Sequence, residues 1–232
     1  MELTILKDNL KDALSVVERM VAKSPTLPIL NNILLSAKGS SLEISATDLE
    51  VGVRYTMPSE IKQEGRIVVP AKHLSQFVGF LPESQITLVQ KQNGLNIKAK
   101  GHSTKLNILS PDDFPIIPEV KGDEPSVQVE TAPFCRGLAQ VMGMAGQSQA
   151  RPEISGILFV FQNNTLKLAS TDSFRLAAKT MVFSDAQTKG HTFILPQKTA
   201  RELVGVLGDR PGKTTIYFGP NQAIFDYAAQ EE

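Results

Sequence analysis

Apolar residues recur at Leu10, Leu14, Val17 and Val21, spacings of three and four that make the stripe of an amphipathic helix. The same stripe returns at Phe134, Leu138, Val141 and Ala145. A short alternating stretch precedes each: ELTIL (2–6) and SVQVE (126–130) read as strands. After the first stripe, NNILLSAKGSSLEISATDLEVGVRYTM (31–57) breaks into three short strands. Turn residues separate them, Gly39-Ser40-Ser41 at one point and Thr47-Asp48 at the next. RIVVP (66–70) and TFILP (192–196) each end a strand in proline, a residue suited to a helix start, so helices are predicted over Ala71–Leu81 and Gln197–Leu207. QITLVQ, GLNIKA and STKLNIL then return to strand patterning. The order β-α-β-β-β, twice in each half, predicts an α+β protein with helices on one face and antiparallel sheets on the other.

The two halves are copies of one another. Residues 3–57 align without a gap on 127–181, with identities that include Leu14/Leu138, Pro28/Pro152, Ile33/Ile157, Thr47/Thr171 and Asp48/Asp172. Pro70/Pro196, Lys72/Lys198, Val78/Val204, Gly79/Gly205 and Leu81/Leu207 continue the match. Two domains of one fold are therefore expected, 1–121 and 122–232, meeting at the polar stretch EVKGDEP (119–125). The counterpart of the strand at 103–109 would begin at 231, so the second domain is expected to lack its last strand and the chain to be part of a longer one.

Composition narrows the chemistry. Lys plus Arg and Asp plus Glu both number 24, which argues against a protein that coats nucleic acid with its whole surface and leaves segregated charge open. A single cysteine, Cys135, excludes an intrachain disulfide and reads as a small buried thiol. The N-terminus carries no leader pattern and no apolar run nears membrane-spanning length, so a soluble cytoplasmic protein with no membrane partner is expected. Asn163-Asn164-Thr165 reads as a turn. His73, His102 and His191 are widely separated and lack metal-ligand spacing, so neither a metal nor another cofactor is expected. GDRPGKTT (208–215) ends like a phosphate-binding loop, but its glycines are too close together and it follows a helix where that loop follows a strand. It reads as a helix-to-strand turn.

Thr47-Asp48 and Thr171-Asp172 fall where one strand ends and another begins. There Asp and Thr side chains can bond turn amides, so a structural device in both copies is expected. The residues after each pair differ, LEVGV in one copy and SFRLA in the other, and function is placed in that difference. An enzyme using Thr171, Asp172 and Arg175 is the competing reading; no recognisable catalytic motif supports it. Lys7, Lys11, Arg19 and Lys23 lie on or beside the first helix, and Lys72, His73, Lys198, Arg201 and Arg210 on or beside the second helices. They provide either ordinary solubility or a cationic face for duplex phosphates. With no Trp and three Tyr, stacking platforms for single strands are not expected.

SPTLPILNNILLSAKGSSLEISATDLEVGV, RIVVPAKHLSQFVGFLP, LSPDDFPIIPE, RPEISGILFVFQNNTLKLASTDSFRLA and FILPQKTARELVGVL resemble, in order and end to end, the β subunit of bacterial DNA polymerase III, the sliding clamps. The resemblance implies the DNA-clamp fold and a non-enzymatic processivity factor. Such clamps have three domains per subunit and close head to tail as a dimer around duplex DNA; here the third domain is absent. It implies as partners duplex DNA, and the replicative DNA polymerase, clamp loader and repair proteins bound through short linear peptides. Residue by residue, it implies DNA contacts at Lys23, Ser24, Lys72, Gln149, Arg151, Gln197 and Lys198. It implies a peptide groove at Ile154, Thr171, Ser173, Phe174, Arg175 and Leu176, and a ring interface at Thr104 and Leu106. A two-domain subunit closing as a trimeric ring is the alternative assembly.

Overall fold

In the computed structural model, which describes residues 1–22, 27–82, 85–120, 122, 124–147, 151–183, 190–208 and 210–228, the chain divides into two units, Met1–Pro118 and Glu119–Glu232. The first runs β1 (Glu2–Leu6), α1 (Lys7–Val17), β2 (Asn32–Lys38), β3 (Ser41–Thr47), β4 (Gly52–Pro58), β5 (Glu60–Gln63), β6 (Gly65–Pro70), α2 (Ala71–Phe80), β7 (Gln85–Lys91), β8 (Gly94–Ala99) and β9 (His102–Asn107). Its strands form two antiparallel sheets, β4-β3-β2-β6 and β5-β1-β7-β8-β9. The second runs β10 (Ser126–Glu130), α3 (Thr131–Met142), β11 (Gly156–Gln162), β12 (Thr165–Thr171), β13 (Leu176–Val182), β14 (His191–Pro196), α4 (Gln197–Leu207), β15 (Lys213–Phe218) and β16 (Ala223–Tyr227). Its sheets are β13-β12-β11-β14 and β10-β15-β16 among the described residues.

In each unit a helix pair, α1 with α2 or α3 with α4, packs on sheet faces lined by apolar side chains. Leu10, Ala13, Leu14, Val16 and Val17 are buried on α1, and Leu3, Ile5, Ile86, Leu88, Leu95 and Ile97 face them from the five-stranded sheet side of the core. The cores are filled differently. The first unit is packed with Leu, Ile and Val, and Phe114 is its one buried phenylalanine. The second is built around Phe134, Phe159, Phe161 and Phe218. Phe159 stacks on Phe193 at 4.8 Å, and His191 lies flat on Phe218 at 4.3 Å. Cys135 is enclosed in this cluster. The buried hydroxyls of Thr131 and Thr214 bond each other at 2.9 Å.

Element ends follow local chemistry. Pro70 and Pro196 stand opposite Asn32 and Gly156 at the ends of their ladders; lacking an N–H, they end the strand and admit the helix. The stripe through Val21 overshoots α1. The N–H of Glu18 is shared between the carbonyls of Leu14 and Val16, the last turn tightens into a 3-10 turn ending at Met20, and Val21 is extended. α3 ends at Met142, leaving Ala145 buried beyond it. β5 was not expected: EIKQ offers one apolar residue, and its order comes from pairing with β1 across an irregular register between Glu2 and Leu3. Asn163 and Asn164 both have positive φ, 48° and 61°, as a two-residue hairpin turn between β11 and β12 requires. GDRPGKTT joins α4 to β15, so it is the expected helix-to-strand connection. No helix among the described residues is long and apolar enough to cross a membrane.

Candidate functional site

The Thr-Asp pairs make the same turn twice. In the first unit Thr47 Oγ1 accepts from the Leu49 N–H at 3.0 Å and donates to the Val51 carbonyl at 2.9 Å. Asp48 Oδ1 accepts from the amides of Glu50 and Val51. In the second, Thr171 Oγ1 accepts from Ser173 N–H and donates to the Arg175 carbonyl at 2.7 Å. Asp172 Oδ1 accepts from the amides of Phe174 and Arg175, both at 3.0 Å. Leu49 and Ser173, at matching positions, carry positive φ of 75° and 76°. Both copies therefore use these residues to satisfy a tight turn, the structural role read from the sequence. In the second copy Arg175 Nε also donates to Asp172 Oδ2 at 2.9 Å. The amides of Phe174 and Arg175, then the guanidinium, hold the Asp172 carboxyl below its ordinary pKa.

What the turns carry differs: the first exposes one large apolar side chain, Leu49 at 60%, and the second exposes two. Gly52 opens β4 and is exposed, with Ile117 3.0 Å from where a Cβ there would stand, so the first unit has no large side chain at this position. Arg54 Nη2 fastens the Ile117 segment through the Pro118 carbonyl at 3.1 Å. The counterpart of Gly52 is Leu176, whose side chain is 70% exposed, and Phe174 beside it is 96% exposed. Two large apolar side chains thus stand in solvent on a turn rigidified by five side-chain hydrogen bonds.

Ile154 is brought to the same place by a residue that sequence reasoning missed. The Gly146 N–H donates to both the Ile154 carbonyl, at 2.8 Å, and the Thr171 carbonyl, at 3.2 Å. Ile154 is half-buried, its side chain 3.5 Å from where a Gly146 Cβ would stand. Ser170 Oγ donates to the Val141 carbonyl at the end of α3. The helix end, the 151–155 segment and the β12–β13 turn are therefore one bonded assembly. The only sequence signal was a glycine in a loop, which is too common to single out.

The cationic candidates are placed differently. Lys72 and Lys198 are exposed at the second positions of α2 and α4. Neither helix has a side-chain cap, each being preceded by proline. An uncapped helix start with a lysine beside it favours an anion. Arg151 is exposed, and its carbonyl accepts from Ile154 and Ser155 N–H. Gln197 is half-buried: its amide donates to the Met142 carbonyl at 2.8 Å and its backbone N–H to Ser155. Lys23, Ser24 and Gln149 lie outside the described residues. Thr104 and Leu106, both half-buried, lie on β9, an edge strand hydrogen-bonded to β8 alone in its sheet.

Tandem α+β units of this design, with helix pairs on antiparallel sheets, define the fold of the sliding clamps. A clamp from Bacillus subtilis superposes over 98% of this chain and 62% of its own, with a TM-score of 0.93 and 25% identity. One from Pseudomonas aeruginosa bound to griselimycin covers 97% of this chain and 61% of its own, with a TM-score of 0.90 and 28% identity. Residues 1–118 match the N-terminal domain of the DNA polymerase III β subunit and residues 128–231 its central domain; the chain belongs to that family. The β sliding clamp of Staphylococcus epidermidis is 28% identical over 97% of this chain, which spans 62% of that protein's length.

Proposed function

We propose that this chain supplies two domains of a DNA sliding clamp: a non-enzymatic processivity factor that encircles duplex DNA and tethers polymerase, clamp loader and repair proteins by short peptides. One observation carries the reading: both copies place an exposed lysine, Lys72 and Lys198, at the uncapped start of their second helix. A repeated cation at a helix start without a side-chain cap holds phosphates without reading bases, which a sliding protein needs. Arg151 adds charge near the second of these sites. Gln197 donates from its side-chain amide to Met142 and from its backbone N–H to Ser155, tying the end of α3 to the 151–155 segment that carries Arg151. The turn bearing Phe174 and Leu176, with Ile154, Thr171, Ser173 and Arg175, is the peptide groove. The edge of β9, with Thr104 and Leu106, is the surface for head-to-tail ring closure. Binding of a fluorescent DNA duplex, measured across salt concentration, tests the carrying observation. K72Q/K198Q should lower the log K against log [salt] slope by about 2, roughly 0.9 per phosphate contact. An unchanged slope refutes the DNA-facing role of these helix starts.

A further inference from the structure

The sheet β5-β1-β7-β8-β9 has a second face, turned away from the apolar core. Register places Glu2, Val89, Asn96 and Lys105 in one row across it. Lys91 stands opposite Gly94 on one side of that row, and Lys98 opposite Thr87 and Ser103 on the other. The three lysines therefore sit in successive rows about 6.8 Å apart along the strand direction but on three strands, Lys91 on β7, Lys105 on β9 and Lys98 on β8, and form a triangular patch. Lys91, Lys98 and Lys105 are exposed and have no ion-pair or hydrogen-bond partner among the described residues. The carboxylates on this face are Glu2, paired with Lys62 at 3.9 Å, and Glu60.

The backbone accommodates this charge. An added Cβ at Gly94 would collide with Cε of Lys105, whose aliphatic stem lies across the glycine toward Lys91. Two ammonium groups are thus led toward each other with no carboxylate between them, an arrangement that costs energy unless an anion is present. Between the lysines Glu2, Val89, Lys91, Asn96 and Lys98 line a shallow surface hollow, and Asn96 has an amide that can donate to a bound oxygen.

We propose that this sheet face binds the phosphodiester backbone of a nucleic acid strand, its phosphates held by Lys91, Lys98 and Lys105. Three cations grouped on one face, whose nearest carboxylate is already paired with Lys62, match a polyanion with closely repeated charge. Among the described residues the exposed large apolar side chain on this face is Leu6, 54% exposed, one row beyond Lys98 on β1, which leaves the lysine patch itself polar. The site shares no residue with the helix starts bearing Lys72 and Lys198, and its inference does not depend on their role.

The test is anisotropy of a fluorescein-labelled oligo(dT) strand titrated with the 232-residue chain between about 50 and 200 mM salt. K91Q/K98Q/K105Q should lower the log–log salt slope by about 2, roughly 0.7 per single-strand phosphate. The same drop should appear on a K72Q/K198Q background, and Lys98→Gln alone should give about a third of it. Circular dichroism should show the fold unchanged, since all three side chains are in solvent. Equal slope and affinity in parent and triple variant would overturn the proposal. So would a labelled oligoglutamate peptide that binds as tightly as the strand and is equally weakened, which would make the face a site for acidic protein.

Discussion

Truncating the two solvent-exposed apolar side chains of the second turn should separate peptide binding from stability. Phe174 is 96% exposed and Leu176 70% exposed, so almost all of their apolar surface is available for burial by a partner. Fully burying a side chain of this size contributes about 1.5–3 kcal/mol. Phe174→Ala should therefore weaken a bound peptide by about 10- to 150-fold. Leu176→Ala, with less surface to bury, should cost about 1–2 kcal/mol. The pair stand two residues apart on one turn, so the double variant should fall short of the sum. Neither side chain packs in the core, and the turn's hydrogen bonds come from Thr171, Asp172 and Arg175. Unfolding free energy should thus move by no more than about 0.5 kcal/mol. The assay is anisotropy of a labelled clamp-binding peptide from the replicative polymerase, alongside urea denaturation of each variant. Affinity unchanged within twofold in both single variants would refute the groove, as would weakened binding that tracks lost stability.

Thr131→Val and Thr214→Val should each cost about 1–3 kcal/mol by urea denaturation, because each leaves one buried hydroxyl unpaired; the double variant should be close to wild type, and additive losses would show that the hydroxyls are not coupled. Gly156→Ala places a Cβ 2.7 Å from the Leu195 carbonyl and against Ile194, and should destabilise the second unit by about 1–3 kcal/mol in thermal melts. The Asp172 carboxyl should titrate below the ordinary value of 3.8 when followed by NMR. Its folded pKa is depressed, so its contribution to the turn is complete above the unfolded pKa and is lost as pH falls through the folded one. A midpoint at or above 3.8 would remove the amide bonds as the cause.

The duplicated pattern made the architecture legible, because spacings of three and four or alternation by two are imposed by burial and reappear in both copies. Leu10 and Phe134 can differ in shape and still mark the same buried position. β5 was illegible because its order comes from a neighbour; EIKQ has no face of its own to bury. The overshoot at Val21 has a similar origin: an apolar residue can be half-buried just past a helix end, and periodicity does not see the tightening at Glu18. At the candidate site the turn chemistry of Thr171 and Asp172 was readable from residue type. The roles of Gly146 and of Ile117 against Gly52 were not, since both are contacts between distant segments.

The unlike interiors of the two copies have a practical corollary. Phenylalanine rings packed against one another, with two of the three tyrosines, Tyr217 and Tyr227, weight near-ultraviolet optical activity toward residues 119–232, while Tyr55 and Phe114 supply a smaller contribution from 1–118. Each duplicate therefore carries its own natural spectroscopic signature. A melt followed through the aromatic bands is weighted toward the second half, amide signals report both, and divergence between the two traces would reveal halves that come apart independently.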